Sequence, residues 1–196
     1  MNSSSDYYYL RDTLKDLLLA RSVKRGDFVL ASGRKSSFYI DARRTTMSGD
    51  GLAVIGGLGL DRLAVRGWTP RAVGGLTLGA DPIAYAIAMA SVASPPLVRA
   101  FTVRKEAKQH GTGRLIEGPM SDTDRVVVIE DTITTGGSAL RAVEAIQRAG
   151  ASISGILALV DREEGGRAVI EAQGFSVICL ATLSELLDEA PASHAS

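Results

Sequence analysis

An α/β fold, with a central, mainly parallel sheet flanked by helices, is predicted from three features of this chain. Short Val- and Ile-rich runs alternate with stretches of helical periodicity. The run Val126–Ile129 is apolar at every position, as a strand covered on both faces must be. The 196 residues suffice for one domain with a sizeable core but not comfortably for two.

The elements follow in order. Leu10 to Ser22 reads as a helix with Leu14, Leu17 and Leu18 on one face. Phe28–Leu30 and Ser37–Ile40 read as short strands around a turn over Ala31–Arg34. Gly51 to Arg66 is a second helix, stopped by Gly67. Arg71–Gly74 is a strand ending in glycines. Pro82 to Ala90 is an Ala-rich helix, with Pro82 suited to the first helical position. Leu97–Val103 is a strand, and Arg104 to Met120 a long polar loop with room for a hairpin. After Val126–Ile129, the helix Ser138–Ala149 carries Leu140, Val143 and Ile146 at helical spacing, with Gly150 past its end. Ile153–Val160 and Ser176–Leu180 are strands, with a helical stretch near Arg167–Ala172 between them.

Composition excludes several classes. Lys+Arg and Asp+Glu both number 22, so no global field holds nucleic acid or an anionic membrane. Cys179 is the single cysteine, in an apolar run that suits the core, and no intrachain disulfide can form. With only His110 and His194 beside it, no His/Cys metal cage can be built. Neither G-x-x-x-x-G-K-[ST] nor G-x-G-x-x-G occurs. No signal peptide or membrane-length apolar run is evident, so a cytoplasmic protein is expected.

The chemistry concentrates in Arg125-Val-Val-Val-Ile-Glu-Asp-Thr-Ile-Thr-Thr-Gly-Gly-Ser-Ala139. Glu130 and Asp131 stand at the C-terminal end of the apolar run. The loop Thr134-Thr135-Gly136-Gly137-Ser138 then opens onto an amphipathic helix. Backbone N–H groups at a helix start face an anion, and the helix dipole favours negative charge there. Adjacent carboxylates accept hydrogen bonds from a sugar diol. Together these features suit a phosphorylated sugar. An ordinary strand–turn–helix with a surface acid pair would use the same residue types.

A second cluster is cationic. Arg99, Arg104, Lys105, Lys108, His110 and Arg114 fall within one short stretch, opposed only by Glu106. A solvated charged loop is the ordinary account of such a run. Beside a phosphate site, a mobile cationic loop would neutralise a leaving group and exclude water.

The first segment resembles the phosphoribosyl pyrophosphate (PRPP) signature of the type I phosphoribosyltransferases. Arg104-Lys-Glu-Ala-Lys-Gln-His-Gly111 resembles the catalytic loop of the orotate phosphoribosyltransferase family. Three further matches extend the likeness: Phe28–Ile40 to the N-terminal turn, Gly74–Ile83 to the pyrophosphate-side loop, and Val160–Gly166 to the segment that reads the base. The likeness runs from about Phe28 to Gly166.

The resemblance implies transfer of ribose 5-phosphate from PRPP to N1 of orotate, with Mg²⁺ held mainly by substrate. It implies a single domain over 1–196, with about 1–45 and part of the C-terminus forming a small hood on the base side. PRPP would be bound by Arg104, Lys105, Lys108, His110, Glu130, Asp131, Thr132, Ile133, Thr134, Thr135, Gly136, Gly137 and Ser138. Of these, Lys105, Lys108, His110, Glu130 and Asp131 would serve the chemistry. Orotate would be oriented by Lys35, Phe38, Tyr39, Thr134 and Arg162. A homodimer is implied, its 104–118 loop reaching into the neighbouring active site.

From spacing alone, a surface ion pair with Glu163 or Glu164 is the commoner outcome for Arg162. A loop histidine pairing with solvent is as ordinary for His110. In one departure, Leu76–Ala80 lacks the lysine that some members carry, so backbone N–H groups or Mg²⁺ would serve there. A purine or uracil transferase would share the PRPP site without the cationic loop or Arg162's role. A PRPP-sensing regulator that binds nucleic acid would need a basic surface, and Arg43-Arg44 is too small a patch.

Overall fold

The computed structural model describes residues 4–29, 35–106 and 115–188. Its centre is a six-stranded sheet of order β5-β4-β3-β6-β7-β8. These strands are β3 (Ala72–Leu76), β4 (Arg99–Val103), β5 (Ile116–Glu117), β6 (Arg125–Ile133), β7 (Ser152–Asp161) and β8 (Val177–Thr182). All neighbouring pairs are parallel except β4–β5. A separate antiparallel pair, β1 (Val23–Val29) and β2 (Lys35–Ile40), forms the N-terminal hood with helix α1 (Ser4–Arg21).

Alternation within β6 explains the two helical layers. Val127 and Ile129 join one core cluster with Leu14 and Leu18 of α1, Ile55 and Leu58 of α3 (Gly49–Val65), and Ile83 and Ile87 of α4 (Ala80–Ala90). Val126 and Val128 join the opposite cluster with Val143 and Ile146 of α5 (Gly137–Arg148) and Ile170 of α6 (Gly166–Ala172). Successive strand side chains point to opposite faces, so an uninterrupted apolar run is what a doubly covered strand needs.

The expected strands and helices all appear, with shifted bounds. Helix α1 begins at Ser4 rather than Leu10, because Tyr7 packs against the core with the Arg62 guanidinium 4.2 Å from its ring centre. Tyr8 and Tyr9 stay exposed. Strand β1 reaches back to Val23 through an irregularity between Arg25 and Phe28. The predicted turn over Ala31–Arg34 and the end of the first strand at Leu30 lie outside the described residues. Pro82 is the third residue of α4, not the first. The first turn tolerates it, because N–H groups there have no intrahelical acceptor.

Two short helices were not expected, α2 (Arg43–Thr46) and α7 (Leu183–Asp188). Glu185 of α7 forms an ion pair with Arg11 of α1, tying the C-terminal segment to the hood. Within the long segment after β4, β5 runs antiparallel to β4 and places Ile116 opposite Val103; residues 107–114 lie outside the described residues. No helix among the described residues is long and apolar enough to cross a membrane.

Ile129 is fully buried at the centre of the sheet. Ile129→Ala should cost about 2–5 kcal/mol of unfolding free energy, read as a lower urea midpoint with unchanged denaturant slope.

Candidate active site

The C-terminal ends of β3, β6 and β7 open into one cleft of about 340 Å³. Ligands of parallel sheets bind at this edge. Strand β6 does not stop before the acid pair, as the sequence suggested, but carries it. Glu130 pairs in register with Ala158 and Ile133 with Asp161, so the β7 ladder holds the backbone extended through both carboxylates.

The two acids then diverge. Asp131 lies on the α4 side, where a Cβ on Gly79 would stand 2.3 Å from its Oδ2. Only glycine permits that approach of backbone to carboxylate. Thr132 N–H donates to Asp131 Oδ1 at 2.8 Å. Glu130 is 8% exposed, and its Oε2 has no hydrogen-bond partner among the described residues. Burial, reinforced by the neighbouring Asp131 charge, pushes its carboxyl up to about 9. Near neutral pH it is therefore a neutral acid, able to donate as well as accept.

Next comes the loop to α5. Gly136 takes φ 82°, a left-handed conformation that starts the helix without a side-chain cap. The N–H groups of the first turn are thus left to a ligand or solvent. Thr134 and Ser138 line the cleft. On the opposite wall, Leu76 to Gly79 form a loop anchored by Thr77 Oγ1, which donates to Asp81 Oδ2 at 2.6 Å.

Arg162 follows β7 and is 6% exposed. Its Nη2 lies 2.8 Å from Glu164 Oε1. The ion pair expected from spacing exists, yet it is buried at the cleft rather than on the surface. Glu163 makes this possible by adopting φ 56° while its carboxylate accepts from Ser184 N–H and Oγ. Such a non-glycine conformation persists only where neighbours enforce it.

The structure thus gathers Tyr39, Lys105, Glu130, Asp131, Thr132, Thr134, Ser138 and Arg162 into one cleft. Of the described residues, it does not bring the others there. Lys35 borders a separate hollow with Asp27 and Phe28. Phe38 lies under the Arg25 guanidinium. Arg104 pairs with Glu117 at 3.7 Å. Ile133 is buried in the α5-side core, which leaves only its backbone available. Thr135, Gly136 and Gly137 shape the loop but do not line the cleft. Lys108 and His110 lie outside the described residues. Cys179 is half-buried, and burial holds its thiol up at about 12, as suits a packing residue.

Sequence reasoning missed Arg43 and Arg141, both of which line the cleft. Arg141 left a local signal, a cation near the start of a helix with no acid in its first turn.

Fold and site together are those of a type I phosphoribosyltransferase. No family model matches the chain. It is 46% identical to the orotate phosphoribosyltransferase of Aquifex aeolicus over 180 residues, spanning 90% of this chain and 97% of that protein. It is 44% identical to that of Corynebacterium glutamicum strain R over 186 residues, spanning 95% and 98%. The solved orotate phosphoribosyltransferase of Mycobacterium tuberculosis in complex with PRPP matches with a TM-score of 0.74 at 41% identity, covering 90% of this chain and 98% of that one. The chain belongs to the orotate phosphoribosyltransferase family.

Glu130 also predicts a pH signature of the ligand-free protein. Unfolded, its carboxyl ionises near 4.5; folded, it keeps its proton up to about 9. The native state holds the extra proton across that window, so this group lowers stability as pH rises through it. Glu130→Gln removes the dependence. Its stability advantage over the wild type should grow from about pH 5 to about pH 8.5, measured by denaturant midpoints at each pH.

Proposed function

We propose that this chain transfers ribose 5-phosphate from PRPP to N1 of orotate, giving orotidine 5′-monophosphate and pyrophosphate in pyrimidine synthesis. One observation carries the reading. A buried arginine, Arg162, faces the same cleft as the acid pair and the anion loop. Orotate has a carboxylate for a guanidinium to grip; adenine, hypoxanthine, guanine and uracil have none.

In this reading the loop Thr134–Ser138 and the start of α5 hold the 5-phosphate. Glu130 and Asp131 hold the ribose hydroxyls. The Asp131 carboxylate also favours positive charge on the sugar as its C1–O bond breaks. Lys105, with Arg104, Lys108 and His110 of the same loop, meets the pyrophosphate as negative charge grows there. Arg162 and Thr134 orient orotate beside Tyr39. No general base is assigned, because alignment of N1 with C1 is itself a large part of the barrier reduction.

The donor set fits a Mg²⁺ carried by substrate. Among the described residues no three of His, Cys, Asp and Glu converge on one point. Mg²⁺ keeps waters and phosphate ligands readily, so it would be carried in by the substrate rather than by protein side chains. When bound, it neutralises charge on the leaving group. We place the enzyme in the cytoplasm as a homodimer. An apolar face beside the cleft, with Met47, Leu78 and Tyr85 each more than half exposed, supports a second copy packing there. Lys105 lines the cleft of its own chain. Whether it acts there or in the neighbour is tested by mixing Lys105→Ala and Arg162→Ala subunits. Recovered activity in the mixture is the expected result for a loop acting across the dimer.

A base-selectivity assay with PRPP and Mg²⁺ tests the reaction itself. Orotate should be consumed, and adenine, hypoxanthine, guanine and uracil should not. Turnover of another base would keep the PRPP site and overturn the role of Arg162. Arg162→Ala should raise the KM for orotate about 10-fold or more, the range for a lost charge-assisted contact. Lys105→Ala should lower kcat by about 100-fold. Normal turnover with unchanged PRPP affinity would remove Lys105 from the mechanism.

A further inference from the structure

Among the described residues, four cations line the cleft: Arg43, Lys105, Arg141 and Arg162. Arg43 is held by Asp41 at 2.9 Å and Arg162 by Glu164 at 2.8 Å. Lys105 belongs to the loop at the pyrophosphate end. Arg141 differs from all three. Its one hydrogen bond among the described residues is a long one, from Nη2 to Ser138 Oγ at 3.4 Å.

Its position is unfavourable for the helix. Side chains of an α-helix lean toward its N-terminus, so Arg141 lies back over the first turn of α5. That end carries the positive pole of the dipole, the first turn has no acid, and no side chain caps it. A cation there weakens an empty helix start and strengthens one that holds an anion. Glu130 lines the same cleft and is more than nine-tenths buried, with Oε2 unmatched among the described residues. Of the charges that act on Glu130, that of Arg141 favours its ionised form. A local rule is broken where a ligand is wanted, as functional sites do.

We propose that Arg141 binds the 5-phosphate of PRPP, closing the Thr134–Ser138 cradle from its helix side. The inference rests on the PRPP reading above and adds a binding residue to it. The guanidinium matches phosphate geometry, and the neighbouring backbone N–H groups supply the other half of the grip. Phosphate arrival also places negative charge at the helix start, which removes the penalty Arg141 imposes.

The test is calorimetric titration of wild type, Arg141→Ala and Arg141→Lys with PRPP, ribose 5-phosphate and pyrophosphate separately, beside steady-state kinetics with Mg²⁺. Arg141→Ala should weaken PRPP and ribose 5-phosphate binding about 10-fold or more while pyrophosphate binding holds. The kinetic loss should fall on the KM for PRPP more than on kcat, and Arg141→Lys should recover part of it. The ligand-free Arg141→Ala protein should be no less stable than wild type. Unchanged ribose 5-phosphate affinity, or an equal loss for pyrophosphate, overturns the assignment. Failure of the wild type to bind PRPP would overturn the transferase reading itself, and the inference with it.

Discussion

A parallel strand covered on both faces can be apolar only as far as its covering extends. In β6 the covering serves Val126 to Ile129 completely. The next two residues are carboxylates, and the site begins where the core stops. Because the β7 ladder continues past this boundary, the acids are fixed by backbone hydrogen bonds rather than by a loose turn. Their divergence follows from the pleat: one faces the α5 layer, the other the α4 layer. Everything else in the cleft is arranged around that pair.

Burial has a different effect on each acid. Glu130 remains inside the protein envelope, so desolvation favours its neutral form. Asp131 is half-exposed, accepts from the Thr132 N–H, and rests against Gly79. Two adjacent residues of nearly the same chemistry thereby acquire distinct abilities. Such a pair suits the two neighbouring hydroxyls of a ribose, where one contact can donate and another accept.

The electrostatic design is local. A chain with equal numbers of acids and bases still concentrates cations around one cleft. Two of the arginines there are steadied by carboxylates on their own segments, Asp41 and Glu164. Pre-positioned charge of this kind spares reorganisation when substrate charge develops. The left-handed turn at Glu163 serves the same end, trading a locally unfavourable backbone for a fixed direction of Arg162.

Much of this was legible in the chain alone. The apolar run of β6, the glycine-marked start of α5 and the alternation of elements specified a parallel sheet and the edge at which its ligand binds. These signals are local, carried by period, propensity and turn chemistry, and so survive in one dimension. The hood's helix start was not legible, because Tyr7 is anchored by Arg62, a residue distant in sequence. Nor was the neutrality of Glu130, which depends on layers packed above and below it. Lys35 and Arg162 show the limit most clearly. Both are cations in segments that suggested the base site, yet one borders a separate hollow and the other is buried at the cleft. Residue type and spacing determined which groups this protein has available. Which of them meet was decided by strand register and helix packing, since long-range contacts set where a side chain points and how much water surrounds it.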